Sequence, residues 1–483
     1  MTMRYLNIFR RDALRAIAAA GVAPFMARAA NGHEGHRPNI ILFLSDDQKW
    51  DVVGYEGHPL AITPHIDALA RQGVAFKNSF VTTPICASSR ATLMTGTYFA
   101  KHHFNFGTPK LSEAFWPELF PNLLKQAGYK TALIGKLGVW FEDGLWGELG
   151  RKIGWNTEDS GLFDVFVPVE RTPYISEDDD GVKRHSLDKI ERHARAFLAE
   201  QDKDQPFCLI VSFNVPHITE SMDGQGRYQI AEEEEGSLPG ARVPVSRLSD
   251  PAIFDALPDV LTPPIMAGEE AQKWLGTDPT NEFVNYFRLV AGMDRVVGSV
   301  LEEVKLDGID GDTVILFTSD NGLALGDRRL SGKWTHFDES VRVPLVIYDP
   351  RDTSRAGTRP EEFVLNVDLA PTILDFAGVE IPESYQGRSL VPFVEGSYPT
   401  DWRTEFYGEH DVKLGQRIPD WIGVRDANYV FAEYADGKNS VYFLTDEHSD
   451  ADEIVNLAGD PRYASVLEAY RVKAHDYQAR YAR

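Results

Sequence analysis

A chain of 483 residues with 43% hydrophobic and 25% charged residues has the make-up of an ordinary soluble globular protein, and it is too long for one small core. Its formal charge of −24 argues against a nucleic-acid partner, which needs a basic footprint, and repels polyanions at long range, so any anion site must be a local basic pocket. Two cysteines exclude a disulfide framework, and Cys208, inside the apolar run 207–211, reads as a buried strand thiol.

The N-terminus carries Arg10-Arg11, then an Ala- and Leu-rich segment, then Ala27-Arg28-Ala29, a small-x-small cleavage pattern. Residues 1–30 therefore read as a twin-arginine export signal, which predicts a periplasmic or secreted protein. Arg15 and Pro24 interrupt the stretch, which is too short to span a bilayer, and no later stretch is long and apolar enough.

Farther on, short apolar runs alternate with helical patterns. Residues 39–45 form an apolar run that ends in Asp46-Asp47. Residues 65–73 and 119–128 read as helices, each closed by a glycine. The run 131–135 ends in Lys136, and 207–213 ends in Asn214-Val215-Pro216-His217. Residues 283–304 carry apolar residues at helical spacing, and the run 313–319 ends in Asp320-Asn321. Two acidic runs, 177–180 and 232–235, read as solvated loops. From about residue 398 the pattern changes to strand-like pieces at 429–432 and 441–444, then a helix from about 463.

Val- and Ile-rich runs of this length suit buried strands, and their alternation with helices predicts an α/β fold. The expected architecture is a large doubly wound mixed sheet flanked by helices over residues 37–397, with a smaller C-terminal α+β subdomain over 398–483. Ligands of such sheets bind beyond the carboxyl ends of the strands, so the four polar run-endings are expected to share one edge.

Cys86 stands at the start of a short helical segment that ends at Gly96, and Arg90 follows one turn later. A helix start favours negative charge, so the pair suggests a reactive thiol or an oxyanion site. Residues 84–96 resemble the signature of the sulfatase family, within the alkaline-phosphatase-like superfamily: Cys-x-Pro-x-Arg followed by Thr-Gly. Residues 128–136 resemble the family's second signature. Asp46-Asp47, Pro216-His217, Ser319-Asp320-Asn321-Gly322, Gly332-Lys333 and Arg342-Val343-Pro344 occur in the family's order, and Asn456-Leu457-Ala458 is a weaker echo.

The resemblance implies hydrolysis of sulfate esters, expected here on a sulfated sugar or polysaccharide. A maturation enzyme would convert Cys86 to formylglycine, whose hydrate is the nucleophile. Asp46, Asp47, Asp320 and Asn321, with position 86, would hold one calcium ion per chain through hard oxygen ligands. Two adjacent acids at a buried strand end are costly without a cation. Arg90, Lys136 and Lys333 would neutralise the sulfate oxygens, and His217 would protonate the leaving oxygen.

Two positions depart from the family pattern: Ser88 replaces the proline of the maturation motif, and Gly138 stands where many members have a histidine. His102, His103 and His336 are candidates for the missing base, although they read more readily as polar loop residues. Trp140, Trp146, Trp155, Tyr174 and Tyr228 are loop aromatics that would stack on sugar rings or anchor local packing. Two other functions remain open, a phosphonate or phosphate ester hydrolase on the same fold and a non-catalytic binder of sulfated glycans.

Overall fold

The computed structural model describes residues 37–108, 110–141, 161–169, 173–219, 228–273, 275, 283–411, 420–437 and 439–483. The segment read as an export signal, and Trp146 and Trp155, lie outside these residues.

Seven strands build the main sheet: β1 (Asn39–Asp46), β2 (Val74–Ala75), β3 (Lys130–Gly135), β4 (Val165–Pro168), β5 (Phe207–Pro216), β6 (Thr313–Ser319) and β7 (Leu345–Tyr348). Their order is β2-β7-β6-β1-β5-β3-β4. The four strands predicted from apolar runs are the central neighbours β6, β1, β5 and β3, all parallel. Strand β4 continues the parallel run, whereas β7 pairs antiparallel with both of its neighbours, β6 and β2, and makes the sheet mixed.

Alternate residues of β1 feed two cores, as the two-residue period of a strand requires. Ile40, Leu42 and Leu44 pack with residues of α2 (Cys86–Thr95), α3 (Phe120–Gln126) and α6 (Leu369–Phe376). Ile41 and Phe43 pack with residues of α1 (Pro64–Gln72), α4 (Ser186–Ala199) and α5 (Val284–Leu306). Cover on both faces is the physical reason that these strands read as unbroken apolar runs.

A second sheet, β8 (Glu405–His410), β9 (Trp421–Asp426), β10 (Tyr429–Asp436) and β11 (Asn439–Asp446), is an antiparallel meander. One face carries Val424, Phe431 and Leu444 against Tyr470 and Ala474 of α7 (Ala464–Tyr481). The other face carries Trp421, Ala432 and Phe443 into a core shared with Phe80, Phe337, Val341 and Leu365.

Several expectations need correction. Glu234, in the acidic run read as solvated, is buried and pairs with Arg295 at 2.9 Å. Asp178, in the other run, has a 6% exposed side chain held by Arg184, Arg192 and His193. Arg295 on α5 and Arg192 and His193 on α4 lie outside the acidic runs, so no local charge pattern reveals them; Arg184 is only six residues from Asp178. Trp140, Tyr174 and Tyr228 are buried packing residues rather than exposed stacking platforms.

Gly135 ends β3 with φ +119°, and a Cβ there would lie 1.7 Å from the Ser212 carbonyl oxygen on β5. Only glycine allows this approach. Gly135→Ala should therefore destabilise the fold by more than about 1 kcal/mol in denaturant unfolding; an unchanged midpoint would contradict the close packing of these two strand ends.

Candidate active site

The carboxyl ends of the central strands bring the polar run-endings together. Asp46 is the last residue of β1, and Asp47 turns out of the strand with φ +66°, a conformation Asp tolerates better than most residues. Asp320 and Asn321 follow the neighbouring β6, and the Asp320 amide donates to the Ser45 carbonyl at 3.1 Å. Ligand oxygens of Asp46, Asp47 and Asp320 all lie within 4.8 Å of one another, and all three residues are buried.

Cations surround this cluster. Lys136, just beyond β3, donates to Asp46 Oδ2 at 2.5 Å. Lys333 Nζ donates to Asp47 Oδ1 and lies 3.5 Å from Cys86 Sγ. His217 Nε2 lies 3.3 Å from Asp47 Oδ2, and its Nδ1 is 2.7 Å from the Ile218 carbonyl. Arg90 donates Nε to Asp320 Oδ2 at 2.7 Å and one terminal nitrogen to both the Lys136 carbonyl and Ser212 Oγ at 2.7 Å. Its other terminal nitrogen reaches the Phe213 carbonyl at 3.4 Å. Arg90 therefore ties β3, β5 and the Asp320 carboxylate to helix α2.

Burial alone would raise the Asp46 carboxyl, but Lys136, His217, Arg90 and Lys333 outweigh it and hold Asp46 ionised. For Asp47, His217 and Lys333 outweigh burial in the same way. Asp320 goes the other way: burial and the Asp46 charge push it up despite Arg90. Arg90 itself is held charged against burial by Asp320 and Asp46. Asp320 faces Asp46 as well as Arg90, so its ion pair does not relieve it fully.

Two buried oxygens, Asp46 Oδ1 and Asn321 Oδ1, have no hydrogen-bond partner. Unsatisfied buried oxygens beside crowded carboxylates fit a hard divalent cation. The donor set is all oxygen, with no imidazole or thiolate needed.

Cys86 is the first residue of α2 and is buried, with Ile85 as the preceding cap. Its sulfur, an Asp46 oxygen and a His217 ring nitrogen lie within 4.8 Å of one another. The nine residues singled out in the sequence thus meet in one place. Ser88, where the family pattern has proline, turns its hydroxyl to the Phe104 carbonyl at 2.9 Å. Gly138 has φ +73°, and a Cβ there would come within 2.5 Å of Arg90 Cδ, so this chain has no room for a histidine at that position while Arg90 keeps its place.

The other histidines proposed as bases face elsewhere. His102 is buried, bonded to Thr92 Oγ1 at 3.0 Å, and burial lowers its pKa to about 3. His336 is buried among Phe337, Phe443 and Tyr434, with Nδ1 2.6 Å from the Tyr434 hydroxyl. Both are buried: His102 ends a short helix, and His336 lies in a bend packed into the core. His103 closes the short helix Phe99–His102 in a left-handed conformation and packs edge-on against Phe99. Ser212 was missed in the sequence; a lone hydroxyl inside the apolar run 207–213 was its signal.

The sulfatase family matches residues 38–379, and the C-terminal region of N-sulphoglucosamine sulphohydrolase matches residues 326–480. A multifunctional alkaline phosphatase superfamily protein of Trinickia caryophylli is 27% identical over 92% of this chain and 96% of its own length. Human N-sulphoglucosamine sulphohydrolase is 29% identical over 91% of this chain and 89% of its own. A solved structure in complex with its substrate D-glucosamine-2-N,6-O-disulfate shares the fold with a TM-score of 0.73 at 24% identity, covering 92% of this chain and 98% of that one. With a family match over more than half its length, laid across the site just described, the chain belongs to the sulfatase family and is an enzyme of that family.

Proposed function

We propose that this enzyme hydrolyses sulfate esters of a sulfated sugar or polysaccharide, with one calcium ion and a nucleophile made from Cys86. The observation that carries the reading is the meeting of Cys86 with a buried oxygen cluster and two lysines at one sheet edge. Names of the relatives support the substrate class: the human relative is a sulphohydrolase of N-sulphoglucosamine, and a Bacteroides thetaiotaomicron relative is an N-acetylglucosamine-6-O-sulfatase. Calcium is the metal that the all-oxygen donor set of Asp46, Asp47, Asp320 and Asn321 suits. The twin-arginine pattern at Arg10-Arg11 supports export, and among the described residues no helix is long and apolar enough to cross a membrane.

When bound, the metal supplies positive charge that acidifies a coordinated hydroxyl and steadies the sulfate oxygens. Formylglycine at position 86, made by a maturation enzyme, would supply that hydroxyl as a hydrated aldehyde. The protein's own part is placement. The start of α2 sets position 86 beside Asp46, and Arg90 keeps α2 joined to β3 and β5. Lys136 and Lys333 stand with their charges at the cluster, where they would neutralise the sulfate oxygens. His217, with Nδ1 committed to the Ile218 carbonyl, presents Nε2 toward the cluster and can hand a proton to the leaving oxygen.

Cys86 gives the first test. Mass spectrometry of the Cys86 peptide from native material should find formylglycine, and Cys86→Ala should lose turnover of sulfated saccharides. Unmodified thiol in an active preparation, or full activity of the alanine variant, would overturn the nucleophile. Faster turnover of the matching phosphate ester would assign the chain to phosphoryl transfer instead.

His217 gives the second. His217→Ala should slow sugar sulfates, whose leaving groups need protonation, by roughly 10²–10⁴-fold, and activated aryl sulfates far less. Equal loss on both would remove His217 from the role of proton donor.

A further inference from the structure

We infer that the C-terminal region is part of the catalytic apparatus, because its bonds to Arg328 and from Trp421 fix the backbone on either side of Lys333. The inference rests on the reading of Lys333 as a sulfate contact.

The segment from Asn321 to Lys333 folds back on itself. The two-residue strands Ala324–Leu325 and Ser331–Gly332 pair antiparallel, and Lys333 follows directly. This hairpin is conformationally expensive. Gly326, Arg328, Arg329, Gly332 and Trp334 all have positive φ, and three of these five are not glycine. Left-handed backbone at non-glycine residues persists only where surrounding contacts enforce it. The hairpin contains just two short rungs, so the enforcement has to come from outside it.

Two anchors come from the C-terminal region. Arg328, with a side chain only 2% exposed, donates to the Glu453 carbonyl at 3.0 Å and the Asp452 carbonyl at 2.6 Å. Its guanidinium also lies 3.9 Å from the centre of the Phe337 ring. A planar fork on two carbonyls fixes both position and direction, which a lysine cannot reproduce. On the other side of Lys333, Trp421 of β9 donates its indole N–H to the Trp334 carbonyl at 2.7 Å. Tyr434 of β10 adds a third bond, accepting the His336 amide at 3.2 Å. Asp327 secures the tip, accepting from Lys49 Nζ at 3.2 Å and Ser246 Oγ at 2.6 Å.

Lys333 therefore hangs between a bond five residues before it and a bond one residue after it, both made by the C-terminal region. Arg328 and Trp421 are positioning residues: neither contacts Cys86 or the carboxylate cluster, and each acts through the backbone of the Lys333 segment.

The test compares full-length Arg328→Lys and Trp421→Phe with the parent enzyme and with Lys333→Ala, on one sulfated saccharide. Trp421→Phe keeps an aromatic ring and loses only the indole donor; it carries the test by itself if the arginine variant does not fold. Both positioning variants should lower kcat by roughly 10–100-fold, as misplacement of a catalytic group does, with KM within about threefold. Hydrogen exchange should speed up at residues 324–336 while the central strands β1 and β6 keep their protection. Parent-like kcat in both variants, or a loss that falls on KM alone, overturns the inference. Lys333→Ala separates the two levels. If it costs nothing, the sulfate reading of Lys333 fails; if it abolishes turnover while both positioning variants keep parent kcat and exchange, only the anchoring fails.

Discussion

Mutual repulsion among Asp46, Asp47 and Asp320 is the constraint on which the rest of the site depends. These carboxylates are buried at two adjacent strand ends, with oxygens within 4.8 Å of one another. At such separations, and away from water, like charges cost several kcal/mol unless cations stand close by. The fold answers with Lys136, Lys333, Arg90 and His217, each drawn from a different segment of the chain. Asp320 is still pushed up by burial and the Asp46 charge, and Asp46 Oδ1 and Asn321 Oδ1 are left without hydrogen-bond partners. A site that concentrates anionic ligands and cationic side chains in one place can bind a metal and an anionic ester together, despite a chain charge of −24.

That arrangement ties together elements that lie far apart in sequence. Arg90 bonds across β3, β5 and Asp320, so any shift of α2 would move Cys86 and the carboxylate together. Gly138 leaves the space that the Arg90 side chain fills, and Gly135 lets β3 press on β5. On the far side, the small antiparallel sheet shares its core with the main body and holds the Lys333 segment. The C-terminal meander thus shapes the site rather than merely flanking it.

Much of this was legible in the sequence. Runs 39–45, 131–135, 207–213 and 313–319 are unbroken because helices cover both faces of the sheet, and their polar endings do share one edge. Helices at 65–73 and 283–304 are read within a residue or two of their observed bounds, since apolar spacing and a closing glycine are local signals. Pairings that depend on tertiary register were not legible. Glu234 with Arg295, Asp178 with Arg192, and His336 with Tyr434 each join residues whose local context is polar or neutral. For Trp140, Tyr174 and Tyr228 the sequence leaves stacking and packing open for the same reason: an aromatic in a loop is buried or exposed according to what the rest of the chain folds against it, and here packing wins. The Arg328 hairpin was invisible because its left-handed turn rests on bonds from more than a hundred residues away.

Calorimetric titration of calcium into chelator-stripped protein, with thermal unfolding on the same samples, tests the cation requirement directly. The account predicts one binding site and a rise in Tm, with stabilisation of about 2.7 kcal/mol once calcium reaches a hundredfold excess over Kd, and loss of both effects in Asp46→Asn. No binding heat and an unchanged Tm at ~10 mM calcium, about tenfold above the Kd of the weakest extracellular sites, would contradict it.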